Sequence, residues 1–264
     1  MIGAILLNRK ILNLGGLPEF IYTGDFVSVD DGSESGFWKF AFTSSGLLTL
    51  TKKIKLATIQ AQAAGGGGGA ANEFYDGTDG KDGTIESLVD VELVVGQYQI
   101  TLGDAGARGY NSAGYKGGDT SFGDVLTVAG GAGGSRAGGS RNQTHTSIYE
   151  DYGKGGLGGT PYQYTGSASY KWVFTASGTC YMYNQPSSIN GQNMGTLSSG
   201  QTVYLASSTV YSATDGSSDK FYKTESGYYV PTTRGSIRNT VISDTRKWYG
   251  VAGNSGVVLL SGKA

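Results

Sequence analysis

The sequence contains few of the residues from which catalytic and metal sites are usually built. Among 264 residues there is one histidine, His145, and one cysteine, Cys180. A structural zinc site takes about four Cys or His ligands, and a Cys–His nucleophile pair needs spatial contact and an orienting third group. We therefore expect no catalytic residue, no metal and no cofactor. A single cysteine also excludes an internal disulfide framework, so Cys180 is interpreted as a small buried residue on a strand.

Other absences exclude further classes of protein. The net charge is −1 and no basic stripe is present, which argues against nucleic acid as a partner. No apolar run reaches the ~18 residues that a membrane span needs, and no glycine run is followed by the Lys-Ser/Thr pair of a phosphate loop. At the N-terminus the apolar residues 2–7 precede Arg9 and Lys10. A secretory signal has the opposite order, so we expect folding in a cytoplasm.

The residues that are abundant indicate an all-β protein. Glycine accounts for 46 residues and tyrosine for 18, whereas proline accounts for only 4. Low proline argues against collagen and against a proline-rich linker. The segments rich in Tyr, Val, Thr and Ile are short and are separated by Gly, Ser and Asn, which is typical of strands joined by turns.

Glycine is spaced in a way that has a structural meaning. A strand over 53–62 runs into Gly65–Gly69, and glycine then recurs at every third position in 77–83 and in 103–109. An extended helix with three residues per turn places such glycines on one edge, where backbones can pack and form hydrogen bonds. The alternatives are a flexible surface loop and packed glycine helices, and we predict the packed arrangement.

Three aspartates share this spacing. Asp76, Asp79 and Asp82 stack on one edge of a three-residue helix. A glycosidase needs two carboxyl groups in different electrostatic settings, and a calcium loop uses a different ligand spacing. We expect a solvated acidic face, with a loose cation site as the alternative.

The strand patterns suggest three parts. Residues 1–34 are predicted to be an N-terminal attachment segment, either docked on a neighbouring chain or tucked as a strand into the core. Residues 35–166 form a glycine-rich β domain that 239–264 complete, and 167–238 form a separate β module. Inward positions in the glycine-rich domain are predicted at Phe40, Phe42, Leu48, Leu50, Ile54 and Leu56.

Residues 36–135 and 247–261 resemble the glycine-rich domain of bacteriophage and prophage tail proteins. That family shows an aromatic start F-x-x-x-G, a strand entering polyglycine, Y-x-I-T-x-G-x-x-G, S-S-F-G and a terminal G-V-V-x-I/L. The corresponding residues here are Phe42 to Gly46, Ile54 to Gly69, Tyr98 to Gly106, Thr120 to Gly123, and Gly256 to Leu260. The resemblance implies a β-sandwich with glycine-rich, polyglycine II-like loops in a virion fibre, baseplate or adhesin.

The module at 167–238 is similar to a bacterial SH3-type module. The family pattern G-T-L-x-x-G-x-x-V corresponds to 195–203, and its later strands correspond to 220–223 and 227–230. The usual N-V-R-S-G opening is replaced by Tyr181 to Pro186. The resemblance implies a small SH3-like β-barrel with an aromatic groove for cell-wall peptides or glycans. The candidate ligand-binding residues are Tyr181, Tyr183, Tyr222, Tyr228 and Tyr229, for which core and cross-strand packing is the alternative.

Together these resemblances imply a non-enzymatic bacteriophage virion protein. It would be a tail, baseplate or tail-fibre component that contacts the host surface through a receptor, a surface glycan or peptidoglycan. The alternative is a purely structural virion protein, such as a capsid decoration or head-fibre protein. The implied partners are other virion proteins. The apolar N-terminal segment and the glycine tracts separately predict an oligomer, which we expect to be a homotrimer. The implied location is the virion, assembled in the host bacterial cytoplasm.

Overall fold

The computed structural model describes residues 10–11, 18–31, 35–139, 141 and 143–263, and it is all-β, as predicted. The chain divides into two compact units, Met1–Tyr164 with Lys247–Ala264, and Thr165–Arg246. In the described ranges the one helical element is a 3-10 turn at Thr232–Arg234.

The first unit contains two antiparallel sheets. One has the order β1-β2-β5-β8-β9-β10 and the other the order β3-β4-β20-β6-β7. Their strands are β1 (Lys10–Ile11), β2 (Phe20–Tyr22), β3 (Phe26–Asp31), β4 (Phe37–Phe42), β5 (Gly46–Leu50), β6 (Ile54–Gln62), β7 (Ile85–Leu93), β8 (Gly96–Thr101), β9 (Thr120–Phe122), β10 (Leu126–Val128) and β20 (Val257–Lys263).

The two sheets share one aromatic core, in the manner of a β-sandwich. Phe20 and Tyr22 of one sheet contact Phe40 and Phe42 of the other, with ring centroids 5.1 Å apart for Phe20–Phe40 and 4.7 Å for Tyr22–Phe42. Alternate residues of a strand face the same side of the sheet. Phe40 and Phe42 are two residues apart on β4, so both rings point into the core and are buried. The C-terminal strand β20 lies between β4 and β6.

The prediction that Leu56 faces inward is wrong. Leu48, Leu50 and Ile54 are buried, but Leu56 is 62% exposed and has a φ of +54°. The register between β6 and β7 shifts at Ile54–Ala57, which is a β-bulge. The extra residue moves every later side chain to the other face, so Ala57 takes the buried position instead.

The division of the chain differs from the predicted boundaries. Residues 20–22 and 26–31 form β2 and β3, which pair within the two sheets of the first unit. Residues 1–9, 12–17 and 32–34, which belong to the same predicted N-terminal segment, lie outside the described residues. The second unit extends to Arg246 instead of 238, because its last strand continues to Asp244.

The glycine-rich stretches form a bundle of seven extended segments, which confirms the packed arrangement. The central segment is 63–71, and every residue from 64 to 70 both donates its N–H and accepts at its carbonyl. No bond joins residues within the segment, and partners repeat every third residue, as in a polyproline II-type helix. The six surrounding segments are 76–84, 103–109, 112–118, 129–138, 153–160 and 249–256.

The six outer segments close a ring. Each one bonds to the central segment and also to both of its neighbours in the ring, so the cross-section is a filled hexagon. Glycine is required at the contacts because there is no room for a side chain. A Cβ on Gly67 would lie 2.0 Å from the carbonyl oxygen of Ala107, and a Cβ on Gly68 1.9 Å from that of Leu157.

The predicted acidic face is not solvated. Asp79 is 2% exposed, and its carboxylate accepts the backbone N–H of Gly158 at 2.7 Å and that of Gln143 at 3.3 Å. Asp82 accepts the N–H of Gly155 at 2.8 Å. The segments 76–84 and 153–160 therefore share these carboxylates, which satisfy outward N–H groups of the bundle.

A return strap covers the same acidic edge. After segment 129–138 the chain runs back over 143–152 before it starts segment 153–160. Along this strap the N–H of Thr146 donates to Asp82 at 2.6 Å, and Nδ1 of His145 lies against the same carboxylate. The side chain of Gln62 donates to the carbonyl of Thr146 at 2.8 Å. The only histidine is thus a structural contact of this strap.

The second unit is one seven-stranded antiparallel sheet. Its order is β14-β13-β17-β16-β15-β12-β18. The strands are β12 (Ala168–Ala176), β13 (Cys180–Tyr183), β14 (Asn193–Leu197), β15 (Thr202–Ser212), β16 (Lys220–Thr224), β17 (Tyr229–Pro231) and β18 (Gly235–Asp244). Two further short strands, β11 (Tyr164–Thr165) and β19 (Lys247–Trp248), form a separate two-stranded sheet.

This sheet curls around its own core. Phe174 of β12, Cys180 of β13, Leu205 of β15 and Val230 of β17 belong to one buried cluster, although these strands are not all neighbours. Cys180 is buried and lies on β13, as predicted.

Candidate functional site

The candidate site is a groove on the second unit, on the face of the sheet opposite the core. Alternation along β13 sends Cys180 and Met182 to the core and leaves Tyr181 and Tyr183 on the other face. The cavity has a volume of about 400 Å³. Its lining is Thr179, Tyr181, Tyr183, Ser188, Asp219, Lys220, Pro231, Thr233 and Arg234.

The two tyrosines differ in how firmly they are held. Tyr183 packs perpendicular to the fully buried Phe221, with ring centroids 6.2 Å apart. Tyr181 is 47% exposed. Burial, reinforced by Cys180 and Tyr181 nearby, raises the pKa of the Tyr183 hydroxyl above its ordinary value. That hydroxyl is therefore protonated at neutral pH and can donate a hydrogen bond.

The groove carries both signs of charge. Lys220 donates to the hydroxyl of Ser212 at 2.9 Å, and Asp219 accepts from the hydroxyl of Ser188 at 2.7 Å. The positive charge of Arg234 is close enough to Tyr183 to oppose the rise in its pKa. The arrangement offers ring faces, hydroxyl groups and two cations, which suits a polyhydroxylated ligand.

Two hydrogen-bonded loops stand beside the groove. The buried hydroxyl of Ser187 donates to the carboxylate of Asp215, and that carboxylate also accepts the N–H of Ser217 at 3.0 Å. These hydrogen bonds lower the pKa of Asp215 to about 2, and the bond from Ser187 has the largest effect. The loops 184–192 and 213–219 are thereby joined, and Ser188 and Asp219 reach the groove from them.

The five predicted tyrosines do not share one site. Tyr181 and Tyr183 line the groove. Tyr229 is opposite Tyr183 in the sheet, but its ring packs edge-on against Tyr211 at 5.6 Å. Tyr222 packs against the core, where its ring is 6.3 Å from that of Phe174, so it does not line the groove. The backbone of Tyr228 closes the turn between β16 and β17 through Thr224.

The polar half of the groove was missed from the sequence. Asp219, Lys220 and Arg234 come from a loop, a strand start and a 3-10 turn, and nothing in their spacing indicates that they meet. Strand parity offered no signal for these three residues. It shows only that the adjacent Phe221 and Tyr222 face opposite sides of the sheet.

A second set of exposed aromatic residues lies at the end of the glycine bundle remote from the sandwich. In the turn after the central segment, the side chain of Asn72 accepts the N–H groups of Phe74 at 2.8 Å and Tyr75 at 2.7 Å. The two rings are 76% and 62% exposed, and Tyr162, in another turn at this end, is 92% exposed. Large exposed rings on a hydrogen-bonded turn are typical of contact surfaces.

In the described part of the chain, no cluster of three or more His, Cys, Asp or Glu side chains could hold a metal ion. No helix among the same residues is long and apolar enough to pass through a lipid bilayer. In comparisons with known proteins, no family model and no curated protein matches this chain.

Proposed function

We propose that this chain is a non-enzymatic bacteriophage virion protein that contacts the host surface, as a tail, baseplate or tail-fibre component. The proposed ligand is a bacterial surface glycan or peptidoglycan. The observation that carries the proposal is the groove in which Tyr181 and Tyr183 lie beside Arg234. Sugars pack their C–H faces on aromatic rings and bond to the hydroxyl and charged groups around them.

The rest of the molecule supports this proposal. The glycine bundle holds its segments through backbone bonds, so side chains at its turns are free for contact. Exposed Phe74, Tyr75 and Tyr162 occupy those turns. Such an arrangement suits a protein that presents surfaces to a target.

Binding to purified bacterial cell walls tests the proposal. Tyr181→Ala is expected to weaken binding by about 1–3 kcal/mol, roughly ten- to a hundredfold, if this ring is a hot spot. Tyr170→Ala is the matched control, because Tyr170 is 46% exposed on the same unit and does not line the groove. Parent-like binding by Tyr181→Ala, or no binding by the parent, would count against the proposal.

A purely structural virion part, such as a capsid decoration or head-fibre protein, is the second candidate. The hexagonal bundle favours it, because a scaffold held by backbone bonds suits a load-bearing part. Absence of cell-wall binding together with stable incorporation into virus particles would favour this candidate.

We also propose that three copies assemble with one another and with other virion proteins. The support is the apolar sequence 2–7 and 11–14. Light scattering of the full chain is expected to give a trimer, and deletion of residues 1–17 is expected to give a folded monomer. A monomeric parent at micromolar concentration would contradict the trimer.

A further inference from the structure

The second unit carries more positive charge than the rest of the chain. Thr165–Arg246 contains six Lys and Arg but only four Asp and Glu, so this unit has a net charge of +2 in a chain of net charge −1. Glu225 is paired with Lys171 at 2.7 Å, and Asp244 with Arg246 at 2.8 Å. The other four cations form no ion pair with any residue that the structure describes; they are Lys220, Lys223, Arg234 and Arg238.

Two of these cations, Lys220 and Arg234, line the groove that holds the two tyrosines of β13. Lys220 donates to a neutral group, the hydroxyl of Ser212, and the guanidinium of Arg234 forms no hydrogen bond within the described chain. Among the lining residues, Asp219 is the only acid. The groove therefore has an excess of positive charge, and the planar guanidinium presents donors in the geometry that fits a carboxylate or a phosphate.

A second cavity, of about 270 Å³, lies on β12, β15 and β18 of the same unit. Val173 of β12 is opposite Tyr204 of β15 and Arg238 of β18, so these three side chains form one row across the sheet. This row is on the face away from the core, because Phe174, the next residue, is buried in the core. Tyr204 is 49% exposed, and the Arg238 guanidinium has no hydrogen-bond partner among the described residues.

One polar atom of this second cavity lacks a partner. The hydroxyl oxygen Oγ1 of Thr240 is buried, and no residue in the described ranges forms a hydrogen bond with it. A buried hydroxyl without a partner is uncommon in proteins, and a hydroxyl group of a ligand in the cavity would supply one. With Tyr204 and Arg238, the cavity offers a ring face, a hydroxyl and a cation, which are the same three kinds of group as in the groove.

A short stretch of chain joins the groove to the second cavity. Arg234 ends the 3-10 turn and Arg238 lies four residues later on β18, so their Cα atoms are at most about 14 Å apart. A chain of a few sugar or polyol units spans this distance, whereas one monosaccharide does not. The two cations can therefore contact one polymer at two of its repeating units.

We infer that the surface from the groove to the second cavity binds an anionic glycan, a sugar or polyol chain that carries a phosphodiester or carboxylate group on its repeating unit. Arg234 and Arg238 bind two of these anionic groups, while the rings of Tyr181 and Tyr204 pack against neutral parts of the chain. The inference rests on the proposed function, whose ligand class it narrows, and it adds the face of β12, β15 and β18 to the site.

Three fluorescent polymers test the charge requirement on the full chain: poly(glycerol phosphate), polygalacturonate and the neutral polymer dextran. Anisotropy is expected to show that one of the two anionic polymers binds about tenfold or more tightly than dextran. The tighter of the two identifies the anion as a phosphodiester or a carboxylate. Raising the salt from about 0.05 M to about 0.5 M is expected to weaken this binding about tenfold, because salt screens exposed charges.

Glutamine variants test the two cations separately. Both arginines are exposed, so Arg234→Gln and Arg238→Gln are expected to fold. Each is expected to bind the anionic polymer about tenfold more weakly, because it loses a charge-assisted hydrogen bond. Lys223→Gln is the matched control, since it removes the same charge from the same unit and its side chain lines neither cavity.

Equal binding of dextran and the anionic polymers would overturn the inference, as would parent-like binding of the anionic polymer by a folded Arg238→Gln variant. Purified cell walls separate this failure from a failure of the proposed function. A parent chain that binds the walls equally at both salt concentrations, and binds neither anionic polymer, would retain the proposed function and overturn the inference. A parent chain that binds neither walls nor polymers would overturn both.

Discussion

The carboxylate of Asp79 accepts the backbone N–H of Gly158 at 2.7 Å, across 79 residues of sequence. The bond ties two outer segments of the glycine bundle. Among the residues that the structure describes, no backbone carbonyl of another segment accepts that N–H. A side chain here replaces a missing neighbour of the lattice, which explains why a charged residue is buried among glycines.

This role predicts the effect of Asp79→Asn. The amide can still accept one of the two N–H groups, but its NH₂ must face the other, which loses its acceptor. A buried donor left unsatisfied costs about 1–3 kcal/mol, so we expect that loss in the free energy of unfolding. Denaturant unfolding measures it, with the exposed Asp104→Asn as control. Equal stability of the two variants would mean that the Asp79 carboxylate does not support the bundle.

The central segment predicts a larger effect for Gly67→Ala. The new Cβ would lie 2.0 Å from the carbonyl oxygen of Ala107, which is backbone and cannot rotate away. We expect a loss of about 4 kcal/mol or more, or no folded protein. Gly96→Ala is the control, because its Cβ meets no atom within 4 Å and its stability change is expected to stay within about 1 kcal/mol. Thermal unfolding of both variants provides the comparison.

Asp215 predicts a pH dependence in the second unit. Its pKa is about 2 in the folded chain and about 3.9 in an unfolded one. Because the pKa of Asp215 is lower in the folded chain than in the unfolded one, its ionised carboxylate stabilises the fold. This contribution is fully present above about pH 4 and is lost as the pH falls towards 2. Asp215→Asn is expected to be less stable than the parent at pH 5, with the difference shrinking by pH 2. A difference that does not change with pH would contradict this assignment.

The strand bounds predict which fragment of the second unit folds alone. Ala168 to Ala176 pair with Gly235 to Asp244 along the whole of β12 and β18. A fragment of 165–246 is therefore expected to unfold cooperatively on heating. A fragment of 170–238 lacks most of β18 and is expected to lose that transition. Circular dichroism melts of both fragments decide between them, and cooperative melting of the shorter one would show that the β18 pairing is dispensable.

Local patterns could be predicted from the sequence because they depend on neighbours along the chain. Alternation identified Phe40 and Phe42 as inward, and the spacing of three glycines identified packed extended segments. The bulge that turns Leu56 outward was not predictable, because it depends on how β6 pairs with β7. The burial of Asp79 was missed for a similar reason, since its partner Gly158 is remote in sequence.

The candidate groove was predicted only in part. Tyr181 and Tyr183 belong to one strand, so their shared face follows from the period of two. Arg234 reaches the groove from the 3-10 turn that follows β17, and no short-range pattern indicates this. Tyr222 was misplaced because its aromatic character gave no indication that its ring packs against Phe174 in the core.

The closed ring around residues 64–70 has a mechanical consequence. Each of these residues is tied on both sides, and the ties run to six different segments. A pull along the axis of the central segment loads these bonds side by side in shear, so they must fail together and not one after another. Tension that enters through β6 or β7 is thereby spread over the whole cross-section of the bundle.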